Sequence, residues 1–308
     1  MSPAIRADEV GTVAEGPLSA VLAALARDDP GAVVAALDGQ LHHGRPGSPA
    51  ALRQQVGERL ATALTPQTGR VTRWIDALAT SASPTGRQVA CLLLASRYPE
   101  DPEGVLRTAE LLAEDPHWEV REAAGGLLGT LLDRDFTKIR GRLEVLRSSR
   151  SENLRRSVVL AVKYAARRDK PERVPDLLEL LQPLLRDEEP YVRRNLGPSA
   201  IGDGLLRVDP KETLKSLRDW SRDRDQIVRW NVAMAFSSAI GSFHWPAAKS
   251  ILERLAKGPE PLVRNAVAKA MRRSRQRYTD EVEETRLRWL KDRDRAATAQ
   301  LVGPLKKR

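Results

Sequence analysis

Trp118 and Glu122 are the two residues whose types and spacing best suit chemistry. They lie four residues apart in the segment 117–128, and four residues span one helical turn, so both side chains share a face. An indole attracts a cationic ring, and a carboxylate stabilises positive charge that develops on a sugar. Gly125 and Gly129 follow on that face, which predicts an open groove of bare backbone. A solvated salt bridge for Glu122 and a packing role for Trp118 stay open as alternatives.

The elements that position this pair are helices. Asp115-Pro116 ends one helix, and apolar residues at helical spacing continue the next. No stretch alternates with period two, so the sequence predicts an all-α fold. Helices are predicted at about 17–28, 31–43, 49–65, 68–80, 85–98, 102–113, 116–132, 136–148, 152–168, 172–186, 190–207, 211–222, 225–240, 246–257, 260–275 and 280–291.

These helices form a repeat. An apolar residue followed by arginine recurs, and the arginines from Arg121 onward are 34, 38, 36 and 35 residues apart. The pairs are Val120-Arg121, Leu154-Arg155, Val192-Arg193, Val228-Arg229 and Val263-Arg264, and Arg87 precedes them. Paired helices at this period predict an α-solenoid, here curved with a concave basic groove. The pattern resembles HEAT repeats, in which this arginine is mainly structural, so the arginine column is discounted as a site.

The residue after each of these arginines is more informative. Equivalent positions on stacked helices lie about 10 Å apart, so this column predicts one strip on the concave surface. It runs Glu122, Arg156, Arg194, Trp230 and Asn265, and helical steps add Lys163, Arg167, Lys269 and Arg273. Glu122 is the only acid of the column. The predicted DNA-binding residues are Arg156, Arg194, Lys163, Arg167, Trp230, Lys269 and Arg273.

The charge is one-sided. The net charge is +10, yet residues 1–100 hold nine Lys/Arg and nine Asp/Glu, so the whole excess lies in 101–308. A basic half indicates a polyanionic partner, with nucleic acid ahead of anionic lipid. The alternative is that Arg-rich helices are simply soluble.

The sequence predicts a flexible N-terminus at 1–16 and a single repeat array at 17–308. The array divides into N-terminal helices (17–100), basic repeats (101–275) and a C-terminal cap (276–308). No apolar run suits a signal peptide or a membrane span. The single cysteine, Cys91, excludes an internal disulfide and indicates a reducing, cytoplasmic setting. No metal site, no cofactor and a monomer are expected.

One repeat departs from the pattern. The segment 194–206 places Gly197, Pro198, Gly202 and Gly204 inside a predicted helix. Proline removes a helical hydrogen bond and kinks the helix. The kink is expected to turn Asp203 towards Glu122 and Arg156. The alternative is a plain helix break.

Three segments together resemble the HEAT-like-repeat alkylpurine DNA glycosylases, AlkC and AlkD. They are Trp118-Glu-Val-Arg-Glu122, Asn153-Leu-Arg-Arg156 and the Tyr-Val-Arg segment 191–197. The resemblance covers roughly 115–275. It implies excision of cationic N3- or N7-alkylpurines from alkylated duplex DNA without metal or cofactor. By the resemblance Glu122 lies near the sugar, Trp118 is an aromatic wall and Arg156 clamps the backbone.

The chain departs from both branches. Pro198 stands where the AlkD branch has an aromatic residue, and Asp203 lies near the acidic residue of the AlkC branch. The predicted catalytic residues are therefore Glu122, Trp118 and Asp203. The alternative function is a non-catalytic HEAT-repeat scaffold that binds protein or nucleic acid. A third option is a HEAT domain acting on a small tetrapyrrole or as the partner of a modification enzyme.

Overall fold

The computed structural model describes residues 15–42, 45–46, 48–64 and 68–305. The prediction of a flexible segment at 1–16 lies outside these residues, except that the first helix already begins at Glu15. Before the middle of the chain come α1 (Glu15–Ala26), α2 (Pro30–Asp38), α3 (Ala50–Leu64), α4 (Thr68–Ala79), α5 (Pro84–Arg97), α6 (Pro102–Ala113) and α7 (Trp118–Arg134). One short antiparallel pair, β1 (Leu41–His42) and β2 (Arg45–Pro46), follows α2.

The remaining helices repeat in pairs, as the sequence predicts. They are α8 (Phe136–Leu146), α9 (Glu152–Ala165), α10 (Val174–Leu181), α11 (Pro190–Asn195), α12 (Leu206–Val208), α13 (Pro210–Trp220), α14 (Gln226–Ala235), α15 (Trp245–Leu255), α16 (Pro261–Ser274), α17 (Thr279–Leu290) and α18 (Ala296–Val302). Short 3₁₀ turns lie at Pro171–Arg173, Gln182–Arg186 and Gly241–His244, and a π-helix spans Leu196–Leu205. No helix among the described residues is both long and apolar enough to cross a membrane.

The chain forms two compact units, the first ending at Leu127 and the second beginning at Leu128. In the first unit α3 and α4 both pack on α5. The buried Trp74 indole donates to Asp28 Oδ1 at 2.6 Å, and Arg70 Nε donates to the same oxygen at 2.7 Å. The hydrogen bond from Trp74 is the larger cause and that from Arg70 the next; together they lower the pKa of the Asp28 carboxyl to about 2. Asp28 thereby ties the turn after α1 to α4.

The second unit has two layers of helices. The first helices of successive pairs, α8, α10, α13 and α15, contact one another in that order. The second helices form the other layer, in which α9 contacts α11 and the π-helix, the π-helix contacts α14, and α14 contacts α16. Buried Val, Leu and Ala side chains lie between the layers. This is the paired-helix arrangement that the 34–38-residue period predicts.

A regular set of hydrogen bonds ties each turn to the helix that follows it. We call Arg87, Arg121, Arg155 and Arg229 the rung arginines. In each, Nη1 donates to the two carbonyl oxygens six and five residues earlier, over 2.6–3.0 Å. Three also bind a carboxylate of the next repeat: Arg87 binds Asp115, Arg155 binds Asp187 and Arg229 binds Glu260. The structural role predicted for this column is therefore confirmed for these four residues.

Two predicted helices end early and one helix was not predicted. The helix expected at 31–43 ends at Asp38, because β1 begins at Leu41. The helix expected at 225–240 ends at Ala235. There Asp203 accepts the Ile240 N–H and Ser238 Oγ accepts the Gly241 N–H, so side chains replace helical carbonyls as acceptors. The additional helix is α18.

Candidate functional site

The start of α7 is fixed by a carboxylate. Asp115 accepts the backbone N–H of His117 at 2.8 Å and pairs with Arg87 through Nε at 2.6 Å and Nη2 at 3.1 Å. Burial raises the pKa of Asp115, but the hydrogen bonds from Arg87 and His117 outweigh it and hold that pKa below its usual value of 3.8. Asp115 therefore stays ionised and anchors the residue before Trp118.

Trp118 is the most exposed tryptophan of the chain, at 57 % of its surface. The sequence predicts packing roles for Trp74, Trp220, Trp245 and Trp289; Trp220 is half-buried and the other three are buried. Trp118 has the opposite environment and leaves its indole to solvent at the first residue of α7. Glu122 lies one turn later on the same helix and is half-buried. An exposed indole with a carboxylate one turn away is available to a ligand at no cost in core packing.

The predicted groove at the glycines is wrong for Gly129. Gly129 is buried, and a Cβ built there meets the Tyr164 Cβ at 2.6 Å and the Ala161 carbonyl oxygen at 2.9 Å. This glycine lets the end of α7 approach α9 closely, so its backbone is covered by a neighbouring helix. Only a residue without a side chain fits this contact.

Arg156 is the most buried of the predicted DNA-binding residues, with 5 % of its surface exposed. Its Nε donates to Asn195 Oδ1 at 2.9 Å. Its guanidinium lies 4.5 Å from the centre of the Tyr191 ring. A buried guanidinium that is held by both a hydrogen bond and an aromatic ring has a defined orientation.

Arg194 shares the same ring. Its guanidinium lies 5.1 Å from the centre of Tyr191, and its Nε donates to the Pro190 carbonyl oxygen at 3.4 Å. Unlike Arg156, Arg194 is exposed. The structure thus brings two predicted DNA-binding residues together around Tyr191, an aromatic residue that was not predicted as a site residue.

Asp203 lies in the π-helix that also contains Pro198. Its Oδ1 accepts the backbone N–H of Ile240 at 2.9 Å. Ile240 directly precedes the 3₁₀ turn at Gly241–His244, so the carboxylate caps the start of that turn. The helix expected at 190–207, with a kink or a break at Pro198, is interrupted by π-geometry, in which each hydrogen bond spans five residues.

Four other predicted DNA-binding residues have surroundings of their own. Lys163 lies 4.7 Å from the ring of Tyr164. Arg167 is paired with Asp169 at 3.1 Å and Asp133 at 3.7 Å, so two carboxylates already balance its charge. In α16, Lys269 is exposed, and Arg273 Nη1 donates to the Gln276 side chain at 2.8 Å.

Trp230 is half-buried and carries the guanidinium of Arg193 at 5.1 Å from its ring. Sequence reasoning missed Arg193, because it discounted the whole arginine column, and it missed Tyr191 and Asn195. For Tyr191 a signal was present, since an aromatic residue stands three positions before Arg194.

The described residues lack the groups for metal coordination and for nucleophilic attack by a thiolate. Among the described residues, no three His, Cys, Asp or Glu side chains are close enough to hold a metal ion. Cys91 is buried, and burial raises the pKa of its thiol to about 12. The thiolate nucleophile is therefore absent at neutral pH.

Comparison with known proteins gives the family. The model described as "DNA alkylation repair enzyme" matches residues 46–199, which is 154 of the 308 residues and half of the chain. The chain therefore belongs to the DNA alkylation repair enzyme family. The HEAT-repeat model matches residues 179–272, so the repeats within this range of the second unit are HEAT repeats. No curated protein matches the chain.

Solved structures with helical similarity were also found. YibA of E. coli is 16 % identical over 83 % of this chain and 93 % of its own, with a TM-score of 0.35. One engineered protein is 17 % identical over 74 % of this chain and 94 % of its own, with a TM-score of 0.28. A second engineered protein is 18 % identical over 93 % of this chain and 80 % of its own, with a TM-score of 0.30.

Proposed function

We propose that this member of the DNA alkylation repair enzyme family is a DNA glycosylase that excises cationic N3- or N7-alkylpurines from duplex DNA. The observation that supports this most is the exposed indole of Trp118, one turn before Glu122, inside the segment that the family model matches. A tryptophan with only a packing role would be buried, as Trp74 is.

The reaction needs few groups. Water attacks C1′ of the alkylated nucleotide, the bond from C1′ to the base nitrogen breaks, and its electron pair neutralises the positive base. The proton of the attacking water goes to a carboxylate or to solvent, and an abasic site remains. Because the base already carries the positive charge, it leaves as a neutral molecule without an acid. The enzyme must instead stabilise the oxocarbenium-like sugar.

Each predicted catalytic residue then has one role. Glu122 stabilises the sugar cation and orients the attacking water. Trp118 presents its ring face to the cationic base, an interaction of about 1–2 kcal/mol when water is excluded. Asp203, whose carboxylate accepts the backbone N–H of Ile240, adds negative charge on the π-helix.

The cations of the second helices are proposed to bind phosphates. Arg194 is exposed and stacked on Tyr191, and Lys269 is exposed on α16. Phosphate contacts position a protein on duplex DNA without reading its sequence. Arg156 is proposed as a backbone clamp whose orientation is set by Asn195. Trp230, Lys163, Arg167 and Arg273 extend the same proposed surface.

One observation favours the alternative of a non-catalytic scaffold. Arg156 is buried and bonded to Asn195, and Arg167 is paired with two carboxylates, so both are also explained by repeat packing. A HEAT-repeat scaffold that binds DNA or protein needs no catalytic carboxylate. The two functions differ in whether a base is released.

The setting and organisation are proposed as the sequence predicts them. We propose a cytoplasmic monomer that needs no cofactor and whose partner is alkylated duplex DNA. The repeat array would span 17–308, with N-terminal helices at 17–100, basic repeats at 101–275 and a cap at 276–308. The single, buried cysteine supports a reducing compartment.

Base release from methylated duplex DNA tests the function. The wild-type protein should release N3-methyladenine or N7-methylguanine, detected by chromatography of the free bases. Glu122→Gln keeps the shape and removes the charge, so release should fall by about 100-fold or more. The matched control is Glu119→Gln on the same helix, which removes a carboxylate that accepts from Gln88 at 3.3 Å.

The outcomes separate the two functions. Release that falls in Glu122→Gln and persists in Glu119→Gln supports the glycosylase. An unchanged rate in Glu122→Gln removes Glu122 from the mechanism. Duplex binding by the wild type without any base release favours the scaffold.

A further inference from the structure

Arg193 stands in the rung column but forms no rung. It follows Val192 as Arg155 follows Leu154, and its own turn offers carbonyl oxygens at the same distance along the chain. Within the described residues, Arg193 makes neither the two carbonyl hydrogen bonds nor a carboxylate pair, and its Nε is buried without a partner. Among the described residues, the one interaction of its side chain is with the ring of Trp230, 5.1 Å from the guanidinium carbon.

A competing arginine accounts for the missing carboxylate pair. The carboxylates that complete other rungs belong to Asp115 and Asp187, and each accepts the backbone N–H two residues later. Asp223 has this same turn geometry, accepting the N–H of Asp225 at 2.9 Å. However, Arg186 Nη2 binds the Asp223 carboxylate at 2.6 Å. The expected partner of Arg193 is therefore already taken.

The remaining state of Arg193 is unusual for a half-buried guanidinium. Burying a charged donor without a partner costs free energy, and an aromatic face compensates only part of that cost. Its neighbour Arg194 adds a second positive charge, and Asp223 and Asp225, the nearby acids of the next turn, both face Arg186. An anion with two oxygens in one plane would take the place of the missing carboxylate.

We infer that Arg193 and Trp230, neither of them a predicted catalytic residue, form a binding site for a phosphodiester group of the DNA backbone. Trp230 holds the guanidinium by its face, and because Nε is buried, the edge formed by Nη1 and Nη2 is the one that would donate to phosphate oxygens in two parallel hydrogen bonds. The inference rests on the proposed function for its choice of DNA as the source of the phosphate. The inference gives Arg193 a ligand-binding role, whereas the rung arginines, at the same position of other repeats, have a structural one.

Binding of an undamaged, fluorescein-labelled DNA duplex to the full chain tests the site, by anisotropy over a series of KCl concentrations. Arg193→Ala should weaken binding roughly three- to tenfold and reduce the salt slope by about one phosphate contact, or 0.9. Trp230→Leu keeps every charge and releases the guanidinium, so affinity should fall while the salt slope changes less. Arg193→Lys keeps the charge without the planar fork and should restore only part of the affinity.

Arg264→Ala is the matched control. Arg264 has the same place in the repeat after Val263, and no aromatic ring lies against it within the described residues. Removing its charge should change duplex affinity less than twofold. If both variants weaken binding equally, a diffuse charge effect replaces the proposed site. Thermal unfolding of Arg193→Ala should match that of the wild type, since no rung is lost.

The inference and the proposed function fail separately. Wild-type affinity and salt slope in Arg193→Ala overturn the Arg193–Trp230 site, whatever the base-release assay gives. A lowered melting temperature in Arg193→Ala equal to that of a true rung variant also overturns it. Duplex binding that depends on Arg193, without base release by the wild type, leaves the site and removes the glycosylase. A wild-type protein that binds no duplex removes both.

Discussion

Arg155 and Arg193 occupy the same position in two successive repeats and have opposite environments. Arg155 donates to two carbonyl oxygens of its own turn and binds Asp187 through Nε at 2.6 Å and Nη2 at 3.3 Å. Arg193 makes none of these bonds and lies against Trp230. The guanidinium of Arg155 bonds within the fold, whereas that of Arg193 is left to bind a ligand.

The difference teaches that a repeat position determines backbone geometry but leaves the role of the side chain open. Both arginines follow an apolar residue near the start of a second helix. What differs is a third residue, Arg186, which pairs with the carboxylate that Arg193 would have used. Arg186 lies before the turn and outside the repeated motif.

The largest effect that the comparison predicts is on stability. Arg155→Ala removes four hydrogen bonds and leaves the carboxylate of Asp187, whose side chain is only 5 % exposed, without its main partner. The free energy of unfolding should fall by about 2–3 kcal/mol, measured by urea denaturation. For Arg193→Ala the loss should stay below about 0.5 kcal/mol. Equal losses would mean that the two arginines do not differ.

A smaller effect should appear in acid. The hydrogen bonds of the Arg87 rung hold the pKa of Asp115 in the folded chain below its usual value of 3.8. Such a carboxylate stabilises the fold at pH values above its usual pKa. The contribution is lost as the pH falls through the lowered pKa of the folded chain.

Asp115→Asn should therefore be less stable than the wild type at pH 7, and its stability should change less on going from pH 5 to pH 3. Denaturation midpoints across that range measure the difference. Asp280→Asn, which removes an exposed carboxylate from α17, serves as the control. A wild-type pH profile in Asp115→Asn would contradict the rung as the cause.

The smallest effect tests the competition itself. Arg186→Ala releases the Asp223 carboxylate, which can then pair with Arg193 and complete the rung. Duplex affinity should fall about threefold, measured by anisotropy. Adding Asp223→Asn should restore the affinity, because the amide keeps the turn hydrogen bond but cannot pair as an anion. Equal affinities of the single and double variants would show that the charge of Arg186 itself binds DNA.

Most of the fold could be predicted from the sequence because its signals are local. Proline at the first helical position and an aspartate or serine cap before it mark where helices such as α5, α6 and α13 begin. The turn that follows the early end of α14 was not predictable, since Asp203 from an earlier helix accepts the Ile240 N–H there. That contact joins residues 37 positions apart.

The candidate site divides in the same way. The sequence left Trp118 open between a ligand wall and a packing residue, and the structure leaves its indole exposed, unlike the buried Trp74, Trp245 and Trp289. Arg193 was missed, because its sequence context equals that of Arg155. Tyr191 was missed as well: its spacing from Arg194 was a signal, but the contact of Arg156, from a different helix, with the same ring leaves none in the sequence. Partners chosen in space leave no periodic signal.

The ten-residue π-helix at Leu196–Leu205 has a consequence for comparing this chain with its relatives. Because each π-turn takes up more residues than an α-turn, ten residues complete roughly half a turn less than they would in an α-helix. Asp203 and the residues beyond it therefore face a direction different from that of an α-helical relative at the same aligned position. An ungapped alignment across this segment pairs residues that are equivalent in order but not in space.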